Sequence, residues 1–215
     1  MYMLSQEAIA VKEALERLQL ENPSLLNNHS DAEKVETIQY HMSAIMQSMG
    51  LDLTDESLGK SPHRIAKMYI EEIFSGLNYE NFPKITTVPA QSGQLDMIKI
   101  DNILMNSTCE HHFVPIQGQV KVAYIPNEKL LGLSKLNRIV HFFCRRPQLQ
   151  ERLTQQIKTA IQVISNSKDV AVHIQATHHC VHSRGVRDIN SMTTTSSYGG
   201  AFQENFDLKR EFLGN

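Results

Sequence analysis

Two short segments, Ser107-Thr108-Cys109-Glu110-His111-His112-Phe113 and Thr177-His178-His179-Cys180-Val181-His182-Ser183-Arg184-Gly185, hold two of the three cysteines and five of the ten histidines of this 215-residue chain. Thiolate sulfur and imidazole nitrogen are the donors that zinc prefers. A closed structural site uses four of them, and a catalytic site uses three with one position left to water. Cys109 and His112 form a C-x2-H pair, which a single turn can bring onto one ion. A structural finger needs a second pair of similar spacing, yet the downstream segment offers one cysteine among histidines and an arginine. Cys109, His112 and Cys180 are therefore the candidate ligands of an open site, and hydrolysis by a zinc-activated water is the reaction class that follows. His111, beside His112, and His178, two residues before Cys180 and so on the same side of an extended strand, are candidates for moving protons. The competing reading is that core thiols and surface imidazoles merely lie close in sequence.

Anion contacts form a second set. Ser134-Lys135-Leu136-Asn137-Arg138 opens a helix, where free amides and the positive dipole end favour a polyphosphate and two cationic side chains add to it. Arg145-Arg146 and Arg184-Gly185-Val186-Arg187 invite the same reading, against the alternative of solvated charged faces. Glu151 sits in the first turn of a helix, a place that stabilises carboxylates with or without a ligand. Cys144 beside Phe142 and Phe143 reads as a core thiol, and the methionines between 42 and 49 as core filler.

These residues must be positioned by a chain that changes texture after Pro83. Before it, the pattern is helical. Apolar residues recur from Ser5 to Leu20, Ser30-Asp31-Ala32-Glu33 forms a capping box, and Val35, Ile38, Met42, Ile45 and Met49 mark one face. A further helix runs from Ser61-Pro62 to about Gly76. After it, 85–88, 97–105, 119–125 and 170–176 alternate as half-buried antiparallel strands, and 134–146 and 149–164 read as helices. The division is a helical portion over 1–83 and a catalytic portion over 84–215. A hydrophobic fraction of 41%, a charged fraction of 20% and a net charge of −2 describe an ordinary globular chain and exclude a nucleic-acid or anionic-membrane binder acting through net charge. Three cysteines without an even pairing, and no apolar run of membrane length, make the cytoplasm the expected address.

With its motifs assembled, the sequence resembles the GTP cyclohydrolase I family. STCEHHFVPI, GLSKLNRIV, RPQLQERLTQQI, HHCVHSRGVRD and SMTTTSSYGG match it in order, SPHRIAKMYIEEIFSGL matches its helical portion, and the likeness spans about residues 35–213. The resemblance implies zinc on Cys109, His112 and Cys180, acid/base roles for His111 and His178, and triphosphate contacts from Ser134, Lys135, Arg138, Arg184 and Arg64. It implies guanine recognition by Gln150 and Glu151, whose carboxylate can accept from an N–H and an exocyclic amine. It also implies an α+β tunnelling fold, with antiparallel sheet and packed helices behind the N-terminal helical portion. The implied assembly is a homodecamer with sites at subunit interfaces, Arg64 being the foremost candidate to cross between chains. The implied reaction turns GTP and water into 7,8-dihydroneopterin triphosphate and formate, at the head of pterin and tetrahydrofolate synthesis. His179 and His182 depart from the family pattern, and strand alternation should turn His179 away from Cys180. A reductase of the queuosine pathway shares a lysine motif like GLSKLNR but needs no Cys-His-Cys set. A zinc-stabilised scaffold would have no use for two non-ligand histidines.

Overall fold

In the computed structural model, which describes residues 4–25, 27–90 and 96–214, helices α1 (Gln6–Arg17), α2 (Asp31–Ser48) and α3 (Ser61–Lys67) come first. Strands β1 (Thr87–Pro89), β2 (Ile98–Cys109), β3 (Pro115–Tyr124) and β4 (Lys129–Leu131) follow, then α4 (Leu133–Cys144), β5 (Pro147–Gln148) and α5 (Gln150–Ser165). The chain closes with β6 (Val170–His178), α6 (His179–His182), β7 (Thr193–Tyr198), α7 (Ala201–Glu204) and α8 (Phe206–Leu213). The main sheet has the order β5-β2-β3-β6-β7, antiparallel except for the short β2–β5 pair, and β1 pairs with β4 beside it. This is the α+β arrangement of an antiparallel sheet with packed helices that the tunnelling fold requires.

Most sequence-derived elements appear within a few residues of their expected bounds. The alternating residues Val170, Val172, Ile174 and Ala176 of β6 are buried together with Val120 and Val122 of β3, under Leu153, Ile157 and Ile161 of α5. α1 adds Ala8, Val11 and Leu15 to the same core. Ser30 caps α2 through the expected box with Glu33. The helix opened by Ser61-Pro62 stays α-helical only to Lys67 and widens into a π-helical stretch over Met68–Ile73. Beyond it, Gly76 passes so close to the end of α4 that a Cβ there would lie 2.1 Å from the Phe142 carbonyl oxygen, and its N–H donates to Arg145 O at 2.9 Å.

Three expectations are corrected. The apolar stripe of α2 is not core within this chain: Met46 is buried, but Ile45 and Met49 are 52% and 64% exposed, because among the described residues the helix packs chiefly against α3 and the π-helical stretch. Arg146 is no solvated anion contact. It is fully buried, pairs with Glu21 at 2.5 Å and stands over the rings of Tyr79, Phe142 and Phe143. The strand carrying the second Cys/His segment ends at His178, and His179 begins a helical turn, so strand alternation does not govern His179 or Cys180.

Candidate active site

Three strand termini meet at one end of the sheet. Ser107 lies opposite Ile116, and Ile116 opposite His178, so the last residues of β2 and β6 flank the first residues of β3. The β2–β3 connection is a tight turn in which Cys109 N–H donates to Val114 O at 2.8 Å and Phe113 N–H donates back to Cys109 O at 2.9 Å. Phe113 takes a positive φ of 52° to close it, and its ring packs on Tyr69 and Phe74 of the helical portion. The turn thus throws out Glu110, His111 and His112 while keeping Cys109 buried.

The donor atoms of Cys109, His112 and Cys180 all lie within 4.8 Å of one another. A zinc ion at about 2.3 Å from each sulfur and about 2.0 Å from nitrogen sets ligand atoms about 3.5–3.8 Å apart, so the three need close by only about 1 Å. Among the described residues no fourth Cys, His, Asp or Glu joins the group, so this donor set has room for a further ligand. Burial, the hydrogen bond with Cys109 and that neighbour's charge push the Cys180 thiol up from its ordinary range. A bound dication reverses that preference by stabilising both thiolates.

Arg184 Nη1 donates to His112 Nε2 at 2.7 Å, which places a guanidinium against the edge of the donor set. His111 is exposed on the same turn, its ring edge-on to that of His112 with centroids 6.3 Å apart. His178 is half-buried, its Nε2 2.7 Å from Gln150 Oε1; burial draws its pKa down, partly offset by the charge of Glu151. Glu151 itself is exposed at the start of α5, with its carboxylate close enough to act on His178.

Gln150 differs from its sequence expectation. It is 1% exposed, and its side-chain amide is engaged by Ile174 O, Thr193 O and Thr195 Oγ1 as well as by His178. Sequence reasoning also missed Arg152, which pairs with Glu110 through Nη2, donates to Pro147 O at 3.2 Å and so ties the ligand turn to the first turn of α5. The signal was available: Glu110 lies inside the Cys-x2-His spacing and Arg152 directly follows Glu151.

The cations divide. α4 runs alongside β2, with His141 Nε2 3.2 Å from Leu104 O, and its C-terminal end leads to the β5–β2 pairing at Thr108. Leu104 stands five residues before Cys109, or about 17 Å along a strand. Arg138 and Lys135 lie about 4.5 Å and about 9 Å farther along the helix, away from the donor set. Ser134 lies at the same distant end, exposed like Arg138. Arg64 is exposed on α3. The chain therefore gathers Cys109, His111, His112, His178, Cys180, Glu151 and Arg184 at one end and leaves Ser134, Lys135 and Arg138 at another.

Comparison with known proteins settles the family, since the model of GTP cyclohydrolase I matches residues 38–215. The chain belongs to the GTP cyclohydrolase I family. Among curated members of that family, GTP cyclohydrolase 1 of Aeromonas salmonicida is 56% identical over 214 residues, covering 100% of this chain and 98% of the relative. The enzymes so named from Tolumonas auensis and Vibrio cholerae are 54% and 55% identical over 210 residues, covering 98% of this chain and 97% of each relative. As a GTP cyclohydrolase I family member, the chain carries its Cys-His-Cys donor set and His178 inside the matched region.

Proposed function

We propose that this chain converts GTP and water to 7,8-dihydroneopterin triphosphate and formate, with 84–215 as the catalytic portion. The observation that carries this reading is the open Cys109–His112–Cys180 set beside a half-buried, hydrogen-bonded His178. Family membership supplies the substrate. Zinc held by the three donors would supply a Lewis acid and lower the pKa of water toward neutrality.

The remaining work falls to the chain's own side chains. Glu151 accepts from the N–H and exocyclic amine of guanine, which orients C8 toward the donor set. Water adds at C8, and a histidine, His178 or His111, gives a proton to the imidazole nitrogen that departs as the ring opens. A second water cleaves the formamide and releases formate. Rearrangement of the ribose and closure of the six-membered ring return one water, so the net reaction consumes one. Arg184, Lys135, Arg138 and Arg64 hold the triphosphate by charge-assisted hydrogen bonds.

The site is assembled between chains of a homodecamer. Three features support this: the separation of Lys135 and Arg138 from the donor set, the bare apolar face of α2 at Ile45 and Met49, and two open strand edges. Among the described residues β7 pairs only with β6, and β2 meets β5 only at Thr108 and Cys109. Exposed edges and apolar faces of this kind call for a partner. The packing of Tyr69 on Phe113 keeps the π-helical stretch after α3 beside the chain's own ligand turn, so Lys135 and Arg138 replace Arg64 as the foremost cross-chain contacts. No helix among the described residues is long and apolar enough to cross a membrane, in keeping with a cytoplasmic address.

Zinc-loaded protein incubated with GTP should release formate and yield a fluorescent pterin after oxidation, and Cys180→Ala should do neither. Wild-type protein that binds zinc and GTP yet releases no formate would overturn the reading.

A further inference from the structure

The buried amide of Gln150 has an orientation that the surrounding hydrogen bonds decide. Its Nε2 lies 3.3 Å from Ile174 O and 3.1 Å from Thr193 O, and backbone carbonyls can only accept. The same nitrogen lies 3.2 Å from Thr195 Oγ1, which is 2.6 Å from Thr154 Oγ1, which in turn donates to the Gln150 carbonyl at 2.7 Å. Those contacts close a circuit with one direction. Thr154 spends its only proton on the Gln150 carbonyl, so Thr195 must donate to Thr154, and Thr195 can then only accept from Gln150 Nε2. Turning the amide over would set its oxygen against two carbonyl oxygens and break the circuit, at the cost of unsatisfied buried groups.

With Nε2 so placed, Oε1 faces His178 Nε2 at 2.7 Å. An amide oxygen accepts only, so the proton of the neutral imidazole sits on Nε2 and the free lone pair on Nδ1. We infer that Gln150 is a positioning residue for His178: it fixes the ring as the Nε2–H tautomer, so that Nδ1 is the atom that exchanges a proton with the reacting nucleotide. The inference rests on the proposed role of His178, and it moves Gln150 from guanine recognition to the support of that histidine. The logic is that of histidines elsewhere whose working nitrogen is set by what the other nitrogen binds.

The test is nitrogen-15 NMR of histidine-labelled, zinc-loaded protein without GTP, with His178 assigned by its loss in His178→Gln. The expected spectrum shows one neutral tautomer for His178, with a protonated Nε2 and a bare Nδ1. A protonated Nδ1 in the wild type overturns the inference, whatever the enzyme does with GTP. In Gln150→Leu, with one zinc per chain retained, the two tautomers should mix and kcat should fall by about tenfold or more while KM for GTP stays within about twofold. A raised KM with unchanged kcat would instead mark Gln150 as a substrate contact and sink the proposal. Should Gln150→Leu not fold, Thr195→Val breaks the circuit but leaves both carbonyl acceptors. It should preserve the single tautomer, and a mixed tautomer there would show that the carbonyls do not set the amide. Formate release by the wild type tests the proposed function separately.

Discussion

Cys109, His112, His178 and Cys180 are drawn to one end of a sheet by strand register and a six-residue closed turn, whereas Ser134, Lys135 and Arg138 stand at the far end of a helix that runs along the same sheet. The first group is tied down within the chain: Arg152 holds Glu110, Arg184 contacts His112 and Gln150 supports His178. In the second, Ser134 and Arg138 are exposed and Lys135 is half-buried. The contrast separates two tasks. Bond breaking demands sub-ångström placement, which one chain's own covalent and hydrogen-bonded frame supplies. Holding a flexible triphosphate tolerates longer, charge-based contacts, which a neighbouring chain can deliver.

The largest expected effect falls on the first group. Cys109→Ala, His112→Ala and Cys180→Ala should each lose tightly bound zinc by elemental analysis and bring formate release to background, while His179→Ala and His182→Ala keep the metal. Retention of full zinc by Cys180→Ala would show that the donor set has been chosen wrongly. Next comes the assembly itself. Ile45→Glu with Met49→Glu places charges on the bare face of α2, and sedimentation should show smaller species that still hold one zinc per chain but turn over GTP at least about tenfold more slowly. Loss of zinc together with assembly would erase the distinction between the two groups.

Lys135→Ala and Arg138→Ala should leave zinc and assembly untouched and raise KM for GTP by about 10- to 100-fold, as expected for a lost charge-assisted hydrogen bond. The smallest effect concerns the frame behind the site. Glu21→Gln removes the carboxylate opposite buried Arg146 and should lower stability by about 1–3 kcal/mol in urea unfolding, with kcat unchanged. An unaltered midpoint would mean that the three aromatic rings around Arg146 suffice without the ion pair.

Much of this was legible in the sequence. β6 alternates cleanly because one face meets α5, and α5 itself shows the spacing of a buried stripe in Leu153, Ile157 and Ile161. The donor set was legible because cysteine and histidine at that spacing have few other uses. Cys144, buried in the same core as Phe142 and Phe143 with its thiol pushed up to about 12 by burial, is the core thiol its neighbours suggested. What was not legible depends on partners distant in sequence. Arg146 reads as a surface cation until Glu21, 125 residues away, and three rings enclose it. Gln150 reads as a ligand contact until Ile174 and Thr193 close over it. The stripe on α2 has the same period as that on α5, and periodicity cannot say whether the covering surface belongs to the same chain. The strand-to-helix break at His179 likewise has no Gly or Pro to announce it.

The division of the site between chains is tested most directly by mixing two variants at a GTP concentration far below the raised KM, where neither alone releases measurable formate. Cys180→Ala lacks a working donor set but keeps Lys135 and Arg138, and a Lys135→Ala/Arg138→Ala double variant keeps the donor set but lacks the cations. When the two are unfolded and reassembled together with zinc, some pockets should pair an intact donor set from one chain with intact cations from another, and formate release from GTP should recover to a measurable fraction of wild type. If mixed assemblies form, verified by differential tagging, and remain as inactive as either parent, the cations act within their own chain and the proposed division is wrong.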